Sequence, residues 1–178
     1  MSNRNNFVFK ALHIVAWVIF VGLCIEAGGL IVNFIFSLFK PESVQNLYQK
    51  LDLSKMYESS KSAFFGMYCF ILGISILKAY LFYVVIMLIG KLNLSRPFSS
   101  YVAVQITKIS YYTLAIGLIS YLAQQTAKNL QQHGFDVDTL NQFWADSQAY
   151  VLMAAVIYVI ATIFTRGVEI QNENDLTV

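Results

Sequence analysis

The sequence predicts an all-α integral membrane protein with four transmembrane helices in a bundle. Three observations carry this. Of the 178 residues, 57% are hydrophobic and only 12% are charged, against roughly 25% charged in soluble domains. Four stretches have membrane length and polarity: Ala11 to Phe39, Ala63 to Gly90, Tyr101 to Ala123 and Ala149 to Thr165. The run from Ile71 to Gly90 is almost continuously apolar, without the two-residue alternation of a barrel strand. No repeat, low-complexity tract or second polar domain interrupts the chain, so residues 1–178 read as one domain whose first partner is the lipid bilayer.

The first span follows Arg4 and Lys10, as a secretory signal would, but it far exceeds a hydrophobic region of about 7 to 15 residues. It reads as an uncleaved helix. About 20 residues cross a hydrocarbon core of about 30 Å, so the first two spans have turns to spare and the fourth barely fits. The loop from 40 to 62 holds Pro41, a helix-starting residue, followed by Val44, Leu47, Tyr48 and Leu51 at helical spacing. In the loop from 124 to 148, Gly134 marks a turn, Asp138 is placed to cap a helix, and Leu140, Phe143 and Trp144 share a face. Two short amphipathic helices are therefore expected on that side of the membrane. Trp144 and Tyr150 suit the interfacial aromatic belt.

Four spans place both termini on one side. Five Lys or Arg fall on each side, but in fewer residues on the side of the termini, and Lys108 lies just inside the third span on that same side. The positive-inside rule then puts both termini in the cytoplasm. Twelve Lys plus Arg against ten Asp plus Glu leave a net charge of +2, which lacks the basic footprint of direct nucleic-acid binding. Cys24 and Cys69 sit inside apolar stretches and read as small hydrophobes rather than a disulfide framework.

Glu26 and Lys78 are the most informative residues, because each lies near the middle of an apolar span, where an ionised group costs roughly 2.5 to 3.5 kcal/mol on insertion scales. Measured from the ends of their helices on the side of the termini, they sit at about 22 Å and about 18 Å. That similarity of depth predicts an ion pair facing the bundle interior, with Asn33, Ser75 or a hydroxyl of the third helix completing the hydrogen bonds. Structural glue is the preferred reading of the pair, and an ion, proton or ligand site is the other. The third span repeats Ser110, Thr113, Gly117, Ser120 and Gln124 at spacings of three and four. This reads first as a small-residue packing stripe and second as a polar lining, through Ser110, Thr113 and Ser120, facing the charged pair.

Enzyme signatures are missing: the sequence has no H-E-x-x-H, G-x-S-x-G, P-loop or G-x-G-x-x-G motif. His13 and His133 fall on opposite sides of the membrane in this topology and cannot share a metal. No catalytic residue, metal or cofactor is expected. After Thr165 the chain turns polar and acidic. The tail from 166 to 178 is either a fraying helix end or a docking peptide, with Glu169, Glu173 and Asp175 meeting a basic partner and Leu176 and Val178 as apolar anchors.

Two segments carry a resemblance. Ser95-Arg96-Pro97-Phe98-Ser99 and the closing Gly167-Val168-Glu169-Ile170-Gln171-Asn172-Glu173-Asn174-Asp175-Leu176-Thr177-Val178 resemble the bacterial four-helix membrane proteins grouped as domain of unknown function 2975. In that family a Pro-Phe-Ser step opens the third helix, and the chain ends in Gly, Glu-Leu-Gln and Glu-Asn-Asp-Leu-Thr-Ile/Val. Ile170 here replaces the commoner Leu. The resemblance implies a bacterial inner-membrane location and, because the family's genes often adjoin one for a small helix-turn-helix regulator, a partner that docks or senses for that regulator. The acids of the tail would then mimic phosphates for a basic surface. The expected function is thus a regulatory or interaction protein, with a small transporter or channel subunit using Glu26 and Lys78 as the alternative. A thin four-helix interior also admits a homo-oligomer.

Overall fold

The structure, a computed structural model, describes residues 3–40, 52–93 and 97–176. Among these residues there is no strand, and the helices are α1 (Asn3–Phe39), α2 (Ser54–Ser59), α3 (Lys61–Lys91), α4 (Ser100–Gln132) and α5 (Ser147–Leu176), with a 3-10 turn at Asp138–Phe143. Helices α1, α3, α4 and α5 are long and apolar enough to cross a membrane, which makes the protein a multi-pass membrane protein. Helix α4 has 33 residues, about 50 Å at 1.5 Å per residue, and so outruns the hydrocarbon core.

The spanning helices pack in chain order, α1 on α3, α3 on α4 and α4 on α5. No comparable α1 to α5 interface closes the ring among the described residues, so the bundle is open. Burial follows: 39% of the most apolar stretch is buried in α3 and in α4, and 17% in α1 and in the segment containing α5. In lipid this carries no penalty, because hydrocarbon tails are as apolar as the side chains they touch.

The α1 face toward α3 is a heptad seam. His13, Ala16, Phe20, Leu23, Ala27, Leu30, Phe34 and Ser37 recur at alternating steps of three and four and are the buried or half-buried positions of one stripe. Across it, the Tyr68 hydroxyl donates to the Leu30 carbonyl at 3.1 Å. The Phe34 ring lies 5.9 Å from Phe65 and 5.3 Å from Tyr68. On its other side α3 meets α4 through the Tyr80 and Tyr112 rings at 4.9 Å, and through Lys91 4.6 Å over the Tyr101 ring.

Helices α4 and α5 form the most extensive pair, and the residues explain why. Ala103, Ser110 and Gly117 are buried at every seventh position of α4, while Ser147, Ala154 and Ala161 do the same on α5. Small side chains at heptad spacing let two backbones approach closely. Ser110 uses that approach to donate to the Ala154 carbonyl at 2.9 Å, a buried interhelix hydrogen bond.

Away from the termini, Leu53 and Met56 of the α2 region and Leu140, Phe143 and Trp144 of the 3-10 turn join Phe64, Met67, Ile71, Ile74, Ile116 and Ala123 in one core. Several expectations change here. The predicted helix over Pro41, Val44, Leu47, Tyr48 and Leu51 lies outside the described residues. The short α2 appears next to it, with the Asp52 carboxylate accepting from the Ser54 amide and hydroxyl at 2.9 and 2.6 Å. Those bonds hold the Asp52 carboxyl below its ordinary pKa. The second loop makes a 3-10 turn rather than an α-helix, and Asp138 is its first residue rather than its cap. Trp144 is not an exposed belt residue but is 2% exposed, drawn inside with Leu140 and Phe143, while Tyr150 is half-buried. Gly134 does make the turn. Its φ of 86° suits a residue without a Cβ, and the Phe135 amide to the Leu130 carbonyl at 3.1 Å with the Gly134 amide to the Gln131 carbonyl at 3.0 Å closes α4 in a Schellman motif.

Candidate functional site

Two regions hold the residues singled out by sequence. In the membrane interior, Glu26 and Lys78 are each half-buried, and no ion pair or hydrogen bond joins them or engages either with another described residue. The contacts at Leu30 with Tyr68 and at Phe20 with Tyr83 place them at comparable depth on antiparallel helices. Rotation separates them instead. Glu26 is one position off the α1 seam, and at about 100° per residue Lys78 lies roughly a third of a turn from the α3 positions that meet α1, such as Tyr83 and Gly90.

The proposed polar lining is not assembled around that pair. Ser110 reaches away to α5, and Thr113 donates to its own helix at Ile109 at 2.7 Å. Ser120 and Ser75 are buried, and Asn33 is half-buried. The stripe on α4 is therefore a packing stripe at Ser110 and Gly117, where a Cβ added to Gly117 would lie 3.0 Å from the Val151 amide nitrogen and 3.2 Å from the Ser147 carbonyl oxygen.

The second region gathers at the end that holds both termini, and here the structure joins the two recognisable segments. Ser99 caps α4, its hydroxyl accepting from the Val102 amide at 3.3 Å. Phe98 packs 5.3 Å from the Phe164 ring and lies over Gly167, where a Cβ would come within 2.6 Å of Cε1 of the ring. Phe98 needs a bare backbone at 167, so glycine there is a matter of fit between chain segments rather than helix termination.

Beyond this brace α5 does not end with its apolar run: it stays helical through Leu176. Arg166 donates to Glu169 at 2.7 Å, with side chains 76% and 49% exposed, an exposed pair worth about 0.2 to 1 kcal/mol at most. Glu169 and Glu173 stand one turn apart, and Leu176 follows at the i+7 register. Glu173 is exposed and Asp175 belongs to the helix, whereas Val178 lies outside the described residues. Sequence reading missed both the helical extension and the Phe98 contact. The only signal for the latter was that a Phe before a serine cap and a glycine in a helix lay far apart in sequence without a local role.

Among the described residues there is no group of three or more His, Cys, Asp or Glu placed to hold a metal. No curated protein and no solved structure matches the chain. The family model described as "Protein of unknown function (DUF2975)" matches residues 46–178, most of the chain and both segments at the braced end. The chain therefore belongs to that family.

Proposed function

We propose that this is a bacterial inner-membrane interaction protein, with both termini in the cytoplasm, that docks a small helix-turn-helix regulator on the end of α5. The observation that carries the reading is the extension of α5 to Leu176, beyond an apolar run that closes at Thr165, as a helix braced at its base by Phe98 on Gly167. A preformed helix loses less conformational freedom on binding than a disordered tail would. Its exposed Ile170 (59%) and the acids Glu169 and Glu173 supply an apolar anchor and negative charge of the kind a basic DNA-reading surface would meet. Glu169 contributes less than its charge suggests, since Arg166 partly neutralises it.

The test is co-fractionation of a small helix-turn-helix regulator, of the kind often encoded beside genes of this family, with membranes holding the full chain or a chain lacking residues 172–178. Truncation should move the regulator to the soluble fraction, and the charge reversal Glu173→Lys should weaken its retention. Equal retention by all three chains refutes the docking role.

A further inference from the structure

Lys108 is a cation inside a lipid-facing helix that neither packing nor the docking role uses. It is exposed, and it makes no hydrogen bond or ion pair with another described residue. It lines a groove of about 380 Å³ between α4 and α5, with Ser100, Val104, Thr107, Tyr111, Thr165, Val168 and Glu169 among the walls. An adjoining groove of about 300 Å³ shares Thr107, Tyr111, Thr165 and Glu169 and adds Arg166.

The chemistry of the walls is sorted. Thr107 and Thr165 spend their hydroxyl protons on the Ala103 and Ala161 carbonyls at 2.9 and 3.0 Å. The donors left over are the Lys108 ammonium and the hydroxyls of Ser100 and Tyr111, none of which has a hydrogen-bond partner among the described residues. With Arg166 the lining carries two cations against one acid, Glu169. The Tyr111 ring (56% exposed) and Leu114 (37% exposed) continue the wall deeper along α4 as apolar surface.

Depth fixes the kind of ligand. Lys108 lies eight residues inside α4, and a helical side chain leans toward the N-terminus of its helix, so its ammonium reaches toward Ser100, Thr165 and Glu169 in the shared groove, where the apolar run of α5 closes and hydrocarbon gives way to headgroups. Basic pockets between transmembrane helices at that level suit anionic headgroups. We infer that the α4/α5 groove binds an anionic phospholipid, its phosphate between Lys108 and Arg166 and an acyl chain running deeper along Tyr111 and Leu114. The groove is built from the bodies of the two helices, so the inference holds or fails independently of the regulator.

The experiment uses the full chain in detergent, stripped of lipid, and measures binding of phosphatidylglycerol, phosphatidylcholine and soluble glycerol phosphate by native mass spectrometry. Phosphatidylglycerol should bind more tightly than phosphatidylcholine. Lys108→Gln should lower that preference about fivefold and Lys108→Arg should keep it, since each basic group near the headgroups contributes about that factor. Glu169→Gln, which leaves both cations in place, should raise it. Equal binding of the two lipids by the wild type, or an unchanged preference in Lys108→Gln, overturns the inference. Glycerol phosphate binding as tightly as the lipid overturns it too, because the apolar wall would then contribute nothing.

Discussion

Replacing Gly117 with alanine is the sharpest test of how α4 and α5 are held together. The added methyl carbon would lie 2.8 Å from Val151 Cγ2, 3.0 Å from the Val151 amide nitrogen and 3.2 Å from the Ser147 carbonyl oxygen. Carbon atoms rest at about 3.5 to 4.0 Å, so the helices must part by roughly half an ångström or more. Two of the three obstacles are backbone and cannot rotate away. Overpacking of this kind costs about 1 to 3 kcal/mol, and parting the helices also strains the Ser110 to Ala154 bond, a class worth about 0.6 kcal/mol on average in membranes. Alanine recovers up to about 1 kcal/mol of helix propensity, leaving a net loss of about 1 to 3 kcal/mol.

Gly66 supplies the control, because nothing lies within 4 Å of a Cβ built there. Gly66→Ala should be neutral or stabilising by up to about 1 kcal/mol. Equilibrium unfolding of both variants in mixed micelles, with dodecyl sulfate fraction as the denaturant, measures the difference. Gly117→Ala should lose stability and Gly66→Ala should not. If Gly117→Ala proves as stable as Gly66→Ala, the close α4/α5 approach is not what holds α5 in place.

Two further outcomes follow from contacts made or missing. Gly167→Ala should destabilise the end of α5 by about 1 to 3 kcal/mol through overlap with Phe98, and Phe98→Ala should cancel most of that increment; a double-mutant cycle with coupling under about 0.5 kcal/mol would show that the two do not touch. Because no ion pair joins Glu26 and Lys78, a cycle of Glu26→Gln and Lys78→Gln should give coupling below about 0.5 kcal/mol. A coupling of 1 kcal/mol or more would restore the pair.

Much of the architecture was written in short-range pattern. Hydropathy and length located the four spans, and the small residues at Ser110 and Gly117 announced a close helix contact before its partner was known. The candidate sites were less legible. Glu26 and Lys78 match in depth, which sequence spacing reports directly, but an ion pair also needs matching rotation about two helix axes, and that depends on which faces the helices turn to their neighbours. The tail after Thr165 read as polar and therefore as a possible frayed end. It stays helical with Phe98, from a loop nearly 70 residues earlier in the chain, packed at its base.

By itself the low charge fraction determined that this chain lives in lipid as four helices, because ionised groups and unpaired backbone cannot sit in hydrocarbon. The spacings of three and four in the third span likewise marked Ser110 and Gly117 as positions able to form a seam. Tertiary structure alone decided the rest: that α1 and α5 stand at the open edges of a row, that Trp144 turns inward, that Gly167 receives Phe98, and that Lys108 faces a groove. Each depends on the relative rotation and separation of helices, set by side-chain fit between residues distant in sequence, which no local pattern encodes.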